Sequence, residues 1–195
     1  MISLNKIIVF TLLTIYVSSV RTPVDIEPCE VRPVGLTSPF TWKPNKLNGP
    51  LPINFHWGNA NGTNYLTQIR NQHIPLYCGA CWAFATTSAF SDRINVMRGG
   101  KWPEINISPQ VLLTCNQKNN GCHGGACLRA YQWMNENDIT DETCSIYTAL
   151  GWTEGLVCDA QAICKECFSS GPCFRPKTFN TYRVAEYGEI DMSTT

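Results

Sequence analysis

The pattern of apolar and polar residues predicts three helices in the middle of the chain. The first begins at Cys81, and apolar residues then recur at roughly helical spacing until Gly99-Gly100 ends the run: Trp82, Ala85, Ala89, Ile94 and Met97. A second begins at Ser108-Pro109, which supplies an N-cap and a proline at the first helical position. A third follows Gly124-Gly125, with apolar residues three apart. Beyond Cys144 the pattern predicts loops rich in cysteine.

The first fifty residues differ from this pattern and divide in two. Residues 1–20 contain Lys6, a short apolar run (7–17) and then small residues, which predicts a signal peptide; a buried N-terminal helix is the alternative. Residues 21–50 contain six prolines and little apolar periodicity, which predicts an extended arm or linker. Cys29 is its single cysteine. Residues 51–195 then form one domain.

Composition narrows the function classes. The chain has 195 residues, with 15 basic and 15 acidic side chains. It therefore lacks the net positive charge that is typical of nucleic-acid-binding proteins. No stretch after the leader is apolar enough to predict a membrane anchor. Eleven cysteines predict disulfides in an oxidising compartment, and the sequons at Asn61 and Asn106 fit a secretory route.

The stretch NQHIPLYCGACWAFA (71–85) carries the candidate chemistry. A cysteine in the first turn of a helix has its thiolate stabilised by unpaired backbone N–H groups and by the macrodipole, so Cys81 is a candidate nucleophile. Three alternatives remain open from the residues alone. Cys81 could be a disulfide partner, or form a thiol-redox dithiol with Cys78, although no strand is predicted before it. A third alternative is a zinc site, for which the candidate ligands are Cys158, Cys164, Cys167 and Cys173.

The segment 78–84, CGACWAF, resembles the active-site motif of papain-like cysteine peptidases. Gln72 matches the family's oxyanion-hole glutamine, and the segment 121–125, GCHGG, resembles the glycine-rich segment that lines the substrate cleft. The insertion His73-Ile74-Pro75 and the cysteine spacing from 158 to 173 are similar to the cathepsin X-like branch of the family, also called cathepsin Z-like. The likeness runs from about Cys29 to Gly188.

The resemblance implies an α+β papain-like fold, of which this chain matches the mainly helical left lobe. It implies that Cys81 attacks the scissile carbonyl, and that the Gln72 amide and the Cys81 N–H hold the oxyanion. Gly124 and Gly125 would bind substrate, and Gly125 would pair with its extended backbone, where a side chain would block the approach. His73 would hold the terminal carboxylate of the substrate.

The implied activity is that of a cysteine-type carboxypeptidase in the lysosome or outside the cell. Its partners would be peptides or proteins with a free C-terminus, and the resemblance implies no cofactor and no metal. It also implies that residues 21–50 are a short proregion, in which Cys29 bonds the catalytic Cys81 as a reversible latch. A Cys29–Cys127 bond is the alternative, because Cys127 has no counterpart in the family pattern. The implied disulfides are Cys78–Cys122, Cys115–Cys158, Cys144–Cys164 and Cys167–Cys173.

The catalytic histidine and asparagine of the family have no match in this sequence. Its histidines are His56, His73 and His123, and the segment 191–195 diverges from the family pattern. We therefore expect a left lobe that is inactive by itself and has an exposed apolar face prone to self-association. A non-catalytic secreted module that binds peptides or proteins, and a redox protein that uses Cys78 and Cys81, are the other hypotheses. The disulfide map separates them, because the redox hypothesis requires a Cys78–Cys81 bond.

Overall fold

The computed structural model describes residues 52–188, so the predicted signal peptide (1–20), the predicted proregion (21–50) and Cys29 lie outside the described residues. The described part contains four α-helices and one small antiparallel hairpin, with single-turn 3-10 helices at Trp57–Asn59 and Trp152–Glu154. The helices are α1 (Cys81–Met97), α2 (Pro109–Cys115), α3 (Cys127–Glu136) and α4 (Ala160–Ile163). The strands are β1 (Glu166–Cys167) and β2 (Cys173–Phe174), with Glu166 opposite Phe174 and Cys167 opposite Cys173.

Helix α1 starts at Cys81 as predicted, but its buried face is not the apolar stripe of the sequence. Ala85, Ala89 and Met97 are exposed. The residues buried on α1 are Trp82, Ala83, Thr86, Thr87, Ser91 and Asn95. Two thirds of that face is therefore polar, and the spacing predicted the helix but not the side that it buries.

The buried polar side chains of α1 are satisfied within the fold. The hydroxyl of Thr86 donates to the carbonyl of Trp82 at 2.8 Å, and that of Thr87 donates to Ala83 at 2.8 Å. Ser91 donates to Thr87 at 2.7 Å and accepts from the backbone N–H of Ile107 at 2.8 Å. A hydroxyl with a partner can be buried at little cost, so these residues allow close packing of α2 and α3 on α1.

Helix α2 lies at the centre of the core. It begins after Ser108, whose side-chain oxygen accepts from the N–H of Val111 at 3.3 Å, and proline occupies the first turn, as the sequence predicted. Every residue of α2 is buried. Helix α3 begins two residues after Gly125, and its buried residues Ala130 and Met134 contact the same core.

Four disulfides are present among the described residues, and they are the four pairs that the resemblance implied: Cys78–Cys122, Cys115–Cys158, Cys144–Cys164 and Cys167–Cys173. These disulfides contradict two of the alternatives given above for the cysteines. The zinc site is wrong because its four cysteines are all disulfide-bonded, and the redox dithiol is wrong because Cys78 bonds Cys122. The alternative Cys29–Cys127 bond is also wrong, because Cys127 keeps its thiol.

Candidate active site

A disulfide and a backbone hydrogen bond fix the turn that precedes α1. The Cys78–Cys122 disulfide joins this turn to the glycine-rich segment 121–125. Next to it, the N–H of Gly79 donates to the carbonyl of Cys122 at 2.7 Å. A Cβ added at Gly79 would lie 2.6 Å from that carbonyl oxygen, so only glycine permits this approach. The position of Cys81, two residues later, is thus fixed relative to the glycine-rich segment.

Trp82 ties the same segment to α1 from inside the core. Its side chain is buried, and its indole N–H donates to the carbonyl of Gly121 at 3.1 Å. A Cβ added at Gly125 would lie 2.8 Å from the Trp82 ring and 2.8 Å from the Asn119 side chain. Packing on the protein side therefore requires glycine at 125, and the role of Gly125 in binding substrate stays a prediction. Gly124 has φ +98°, which also favours glycine.

Cys81 is the first residue of α1, as the sequence predicted. Its N-cap, Ala80, offers no side-chain hydrogen bond, so capping does not compete for the positive end of the helix. Cys81 is disulfide-bonded in this structure, and the four disulfides given above do not include it. The predicted latch stays a prediction, because Cys29 lies outside the described residues.

Gln72 is held beside the first turn of α1 by Tyr147. The phenol of Tyr147 donates to the backbone carbonyl of Gln72 at 2.6 Å. Its ring meets the Phe84 ring edge to face, with the centroids 4.7 Å apart. Burial raises the pKa of Tyr147 to about 12, so the phenol keeps its proton and stays a donor. Sequence reasoning did not find Tyr147, since a tyrosine in a loop 75 residues away carries no local signal.

Arg70 makes a second link between this segment and α1. Its guanidinium pairs with the carboxylate of Glu142 at 3.0 Å and donates to Thr87 and Ser88 at 3.3 Å and 3.0 Å. It also lies over the Phe84 ring at 5.1 Å. Burial raises the pKa of Glu142, and the charge of Arg70 opposes that rise. Arg70 could have been singled out from the sequence, because it stands only two residues before Gln72.

His73 is exposed and lies against the Gln72 side chain. The Nε2 atoms of Gln72 and His73 are 3.2 Å apart, and the imidazole stacks on the Tyr77 ring at 4.7 Å with nearly parallel planes. The backbone N–H of His73 donates to the Asn71 side chain at 2.9 Å. The predicted carboxylate anchor and the predicted oxyanion donor are thus neighbours at the surface.

The other two histidines make contacts elsewhere. His56 accepts from the N–H of Gly58 at 3.0 Å in the first 3-10 turn. His123 lies 3.5 Å from a carboxylate oxygen of Glu154. Among residues 52–188, no group of three histidine, cysteine or acidic side chains is arranged to hold a metal ion. The candidate site residues therefore remain Cys81, Gln72 and His73.

Comparison with known proteins shows the family of the chain. The model of the papain family of cysteine proteases matches residues 51–192. The chain belongs to the papain family. It is 41% identical to cathepsin Z of Onchocerca volvulus over 140 residues, which cover 72% of this chain and 44% of that protein. It is 35% identical to human cathepsin O over 92 residues, which cover 47% of this chain and 26% of that protein.

The solved structure of digestive procathepsin L2 from Tenebrio molitor larval midgut supports the fold. The match has a TM-score of 0.50 at 22% identity and covers 60% of this chain and 34% of that one. The fold of the chain is papain-like, and the described part is mainly helical, with two short strands and many disulfides. The chain spans less than half the length of the two curated relatives given above. Within residues 52–188, no helix is long and apolar enough to cross a membrane.

Proposed function

We propose that this chain supplies the nucleophile and the oxyanion donors of a cysteine peptidase site. Cys81 is the nucleophile, and the Gln72 side-chain amide together with the Cys81 backbone N–H stabilises the oxyanion. The observation that carries the proposal is the Tyr147 link, which fixes Gln72 against the helix that begins with Cys81. A separation of nine residues does not by itself bring a glutamine and a cysteine together, so this link needs a reason, and the proposed function supplies one.

His73 gives the proposed peptidase its specificity for C-termini. Its imidazole is exposed beside Gln72 and stacks on the Tyr77 ring. A protonated imidazole there would attract the terminal carboxylate of a peptide whose last bond lies at Cys81. The proposed reaction is removal of single residues from peptide C-termini, as in a cathepsin Z-like carboxypeptidase.

The thiol also needs an imidazole that takes its proton and later protonates the leaving amine. His56 and His123 contact Gly58 and Glu154, and His73 is engaged with Gln72 and Tyr77. We therefore expect no family-typical turnover from the sequence 1–195 by itself. The start of the helix favours the Cys81 thiolate without that imidazole, so the acidity of Cys81 can be tested in this chain.

The proposed compartment is the lysosome or the extracellular space. The signal-peptide pattern of residues 1–20 and the four disulfides fit the secretory route. In the unprocessed chain, the proposed partner of Cys81 is Cys29. Support comes from the disulfide-bonded state of Cys81, which the four described disulfides do not explain.

The test measures the acidity of the Cys81 thiol. The full chain is reduced just enough to release Cys81, and its alkylation by iodoacetamide is followed by peptide mass spectrometry as a function of pH. We expect an apparent pKa clearly below the ordinary cysteine value of about 8.5, because the start of a helix stabilises the thiolate. Cys127, which also begins a helix but is half-buried and close to Tyr131, gives the internal comparison. An ordinary pKa for Cys81 would remove the nucleophile from the proposal.

A peptide assay tests the rest of the proposal. The reduced chain is incubated with one peptide in two forms, with a free and with an amidated C-terminus. We expect no hydrolysis of either form, and binding of the free acid that weakens in His73→Ala. Turnover that disappears in Cys81→Ser would contradict the expected inactivity of the chain alone. Equal loss of binding for both peptide forms would contradict the carboxylate role of His73.

A further inference from the structure

The two glycosylation sequons of this chain look alike in sequence but lie in opposite environments. Asn61-Gly62-Thr63 and Asn106-Ile107-Ser108 both match the Asn-x-Ser/Thr acceptor pattern. An oligosaccharide is bulky and hydrated, so a modified asparagine must be at the surface of the folded protein. The surroundings of each asparagine therefore decide whether the folded chain can carry the sugar.

Asn61 lies at the tip of a two-residue hairpin. The N–H and the carbonyl of Ala60 and Thr63 bond each other reciprocally at 3.0 Å and 3.1 Å. Asn61 has φ +54° and Gly62 has φ +80°, the signature of an Asn-Gly type I′ turn. Both tip residues are exposed. The turn is closed by its own backbone, and the exposed position of Asn61 leaves room for a sugar.

Asn106 is half-buried beside a packed junction. Its side-chain carbonyl oxygen is fully buried, and the next two residues, Ile107 and Ser108, are 0% exposed. The Ser108 hydroxyl caps α2 and donates to the carbonyl of Ser145 at 2.6 Å. The backbone carbonyl of Asn106 accepts from the N–H of Glu142 at 2.8 Å. In the folded chain the hydroxyl of this acceptor triplet is therefore enclosed, and a sugar on Nδ2 would lie directly against the junction.

The Asn61 hairpin also lies far from the candidate active site. A Cβ added at Gly100 would be 2.9 Å from the Thr63 side chain, so the hairpin contacts the chain just beyond the C-terminal end of α1. Cys81 is at the other end of that helix, and α1 has 17 residues, which gives a length of about 25 Å. A sugar at Asn61 therefore leaves the approach to Cys81 open.

We propose that Asn61 carries the N-linked oligosaccharide of this protein and that Asn106 is unmodified in the folded chain. The inference rests on the secretory route of the proposed function. A pyrophosphate-linked oligosaccharide on a lipid is the donor class. The anomeric carbon of the sugar bonds Nδ2 of Asn61, its bond to the pyrophosphate oxygen breaks, the pyrophosphate leaves with the electron pair, and the amide nitrogen loses one proton.

The test expresses the full chain in a eukaryotic secretory host and examines the soluble secreted protein. Treatment with a peptide N-glycosidase in heavy-oxygen water converts each modified asparagine into a labelled aspartate, which peptide mass spectrometry locates. We expect one label at Asn61 and none at Asn106. The sugar should be lost in Thr63→Ala, retained in the matched control Thr63→Ser, and retained in Asn106→Gln. Alkylation of Cys81 after mild reduction should be the same in all three variants, which shows that the fold at α1 is intact.

Protease protection in the membrane fraction distinguishes a chain that does not enter the secretory route from one that enters it but carries no sugar at Asn61. A chain that remains accessible to protease has not entered the secretory route, and this result overturns both the route and the assignment. A protected, secreted chain without sugar at Asn61 overturns the assignment alone. Sugar on Asn106 of the soluble secreted protein overturns the claim that the packed junction excludes it.

Discussion

The region from Cys78 to Gly151 and the region from Trp152 to Gly188 differ in what holds them together. Within residues 52–188, every buried residue belongs to the first region except Cys164 and Val184. The second region instead has three disulfides with at least one end in it, two of which join it to the first. Packing and buried hydrogen bonds stabilise the first region. The second is joined to it by the disulfides at Cys158 and Cys164 and by backbone hydrogen bonds at Tyr182 and Val184. A segment too small to bury a core can still be ordered in an oxidising compartment.

The candidate chemistry lies with the packed region. Cys81 begins a helix of that region, and Gln72 is tied to it through Tyr147 and Arg70. Groups that must keep one geometry benefit from rigid neighbours. The disulfide-held region contributes no residue to the described site.

The largest effect is expected from Trp82→Ala. The variant removes a buried ring that packs on Gly125 and donates to Gly121, and it leaves a cavity in the core. We expect the free energy of unfolding to fall by roughly 3–5 kcal/mol, as for other buried aromatic residues. Urea unfolding followed by circular dichroism, with the disulfides intact, measures this loss.

Met97→Ala is the matched control for Trp82→Ala, because Met97 belongs to the same helix and is 79% exposed. Its free energy of unfolding should change by less than about 0.5 kcal/mol. If the two variants lose equal stability, the first region is not held by its packing, and the contrast between the regions disappears.

A smaller effect is expected from Arg70→Met. The change leaves the half-buried carboxylate of Glu142 without its cation, which should cost roughly 3 kcal/mol at neutral pH. Burial raises the pKa of Glu142 above its ordinary 4.5, and Arg70 opposes this rise. Without Arg70 the pKa rises further, so the folded variant binds the Glu142 proton more tightly than the unfolded chain does.

The pH dependence of Arg70→Met has a definite sign. A carboxyl with a raised folded pKa contributes stability below its unfolded pKa, and that contribution is lost as the pH rises through the folded pKa. The difference between wild type and variant should therefore be smaller near pH 4.5 than at neutral pH. Urea unfolding at both pH values tests this, with Arg70→Met/Glu142→Gln as control. If the double variant shows the same pH dependence as Arg70→Met, Glu142 is not its source.

The smallest effect is expected from Cys167→Ala/Cys173→Ala in the second region. The bond closes a loop with a sequence separation of only 6, so its loss should cost about 2 kcal/mol and loosen the hairpin alone. Hydrogen exchange should rise between 166 and 174 and stay unchanged in α1 and α2. The larger loop closed by Cys115–Cys158, with a separation of 43, is the comparison, and its loss should cost about 4 kcal/mol.

Equal effects of the two disulfide pairs would contradict the account of the second region. A rise in exchange along α1 after loss of the hairpin bond would do so as well, because it would show that this hairpin supports the core.

The elements and the site differ in how far the sequence predicted them. Local signals were enough for the helix starts, since Ser108-Pro109 and the glycines before α3 act on their own neighbours. The buried face of α1 could not be predicted, because the helical spacing of apolar residues does not show on which side α2 and α3 pack. The disulfide pairs came from the resemblance, as spacing alone does not fix connectivity.

The supports of Gln72 were also beyond the sequence. Tyr147 and Glu142 are more than 70 residues away from the segments that they hold, and nothing local marks them. The packing requirement for glycine at 125 could not be predicted either, because the position of the Trp82 ring was unknown. Long-range contacts account for each of these differences.

The small polar face of α1 also constrains how this helix can evolve. The hydroxyls of Thr86, Thr87 and Ser91 donate to carbonyls of their own helix. The neighbours of α1 therefore pack closely against short side chains. Size then limits which substitutions can become fixed, because leucine would push α2 and α3 away, and even valine would lose the hydroxyl of threonine. Natural variation on this face should therefore favour small side chains with a hydroxyl.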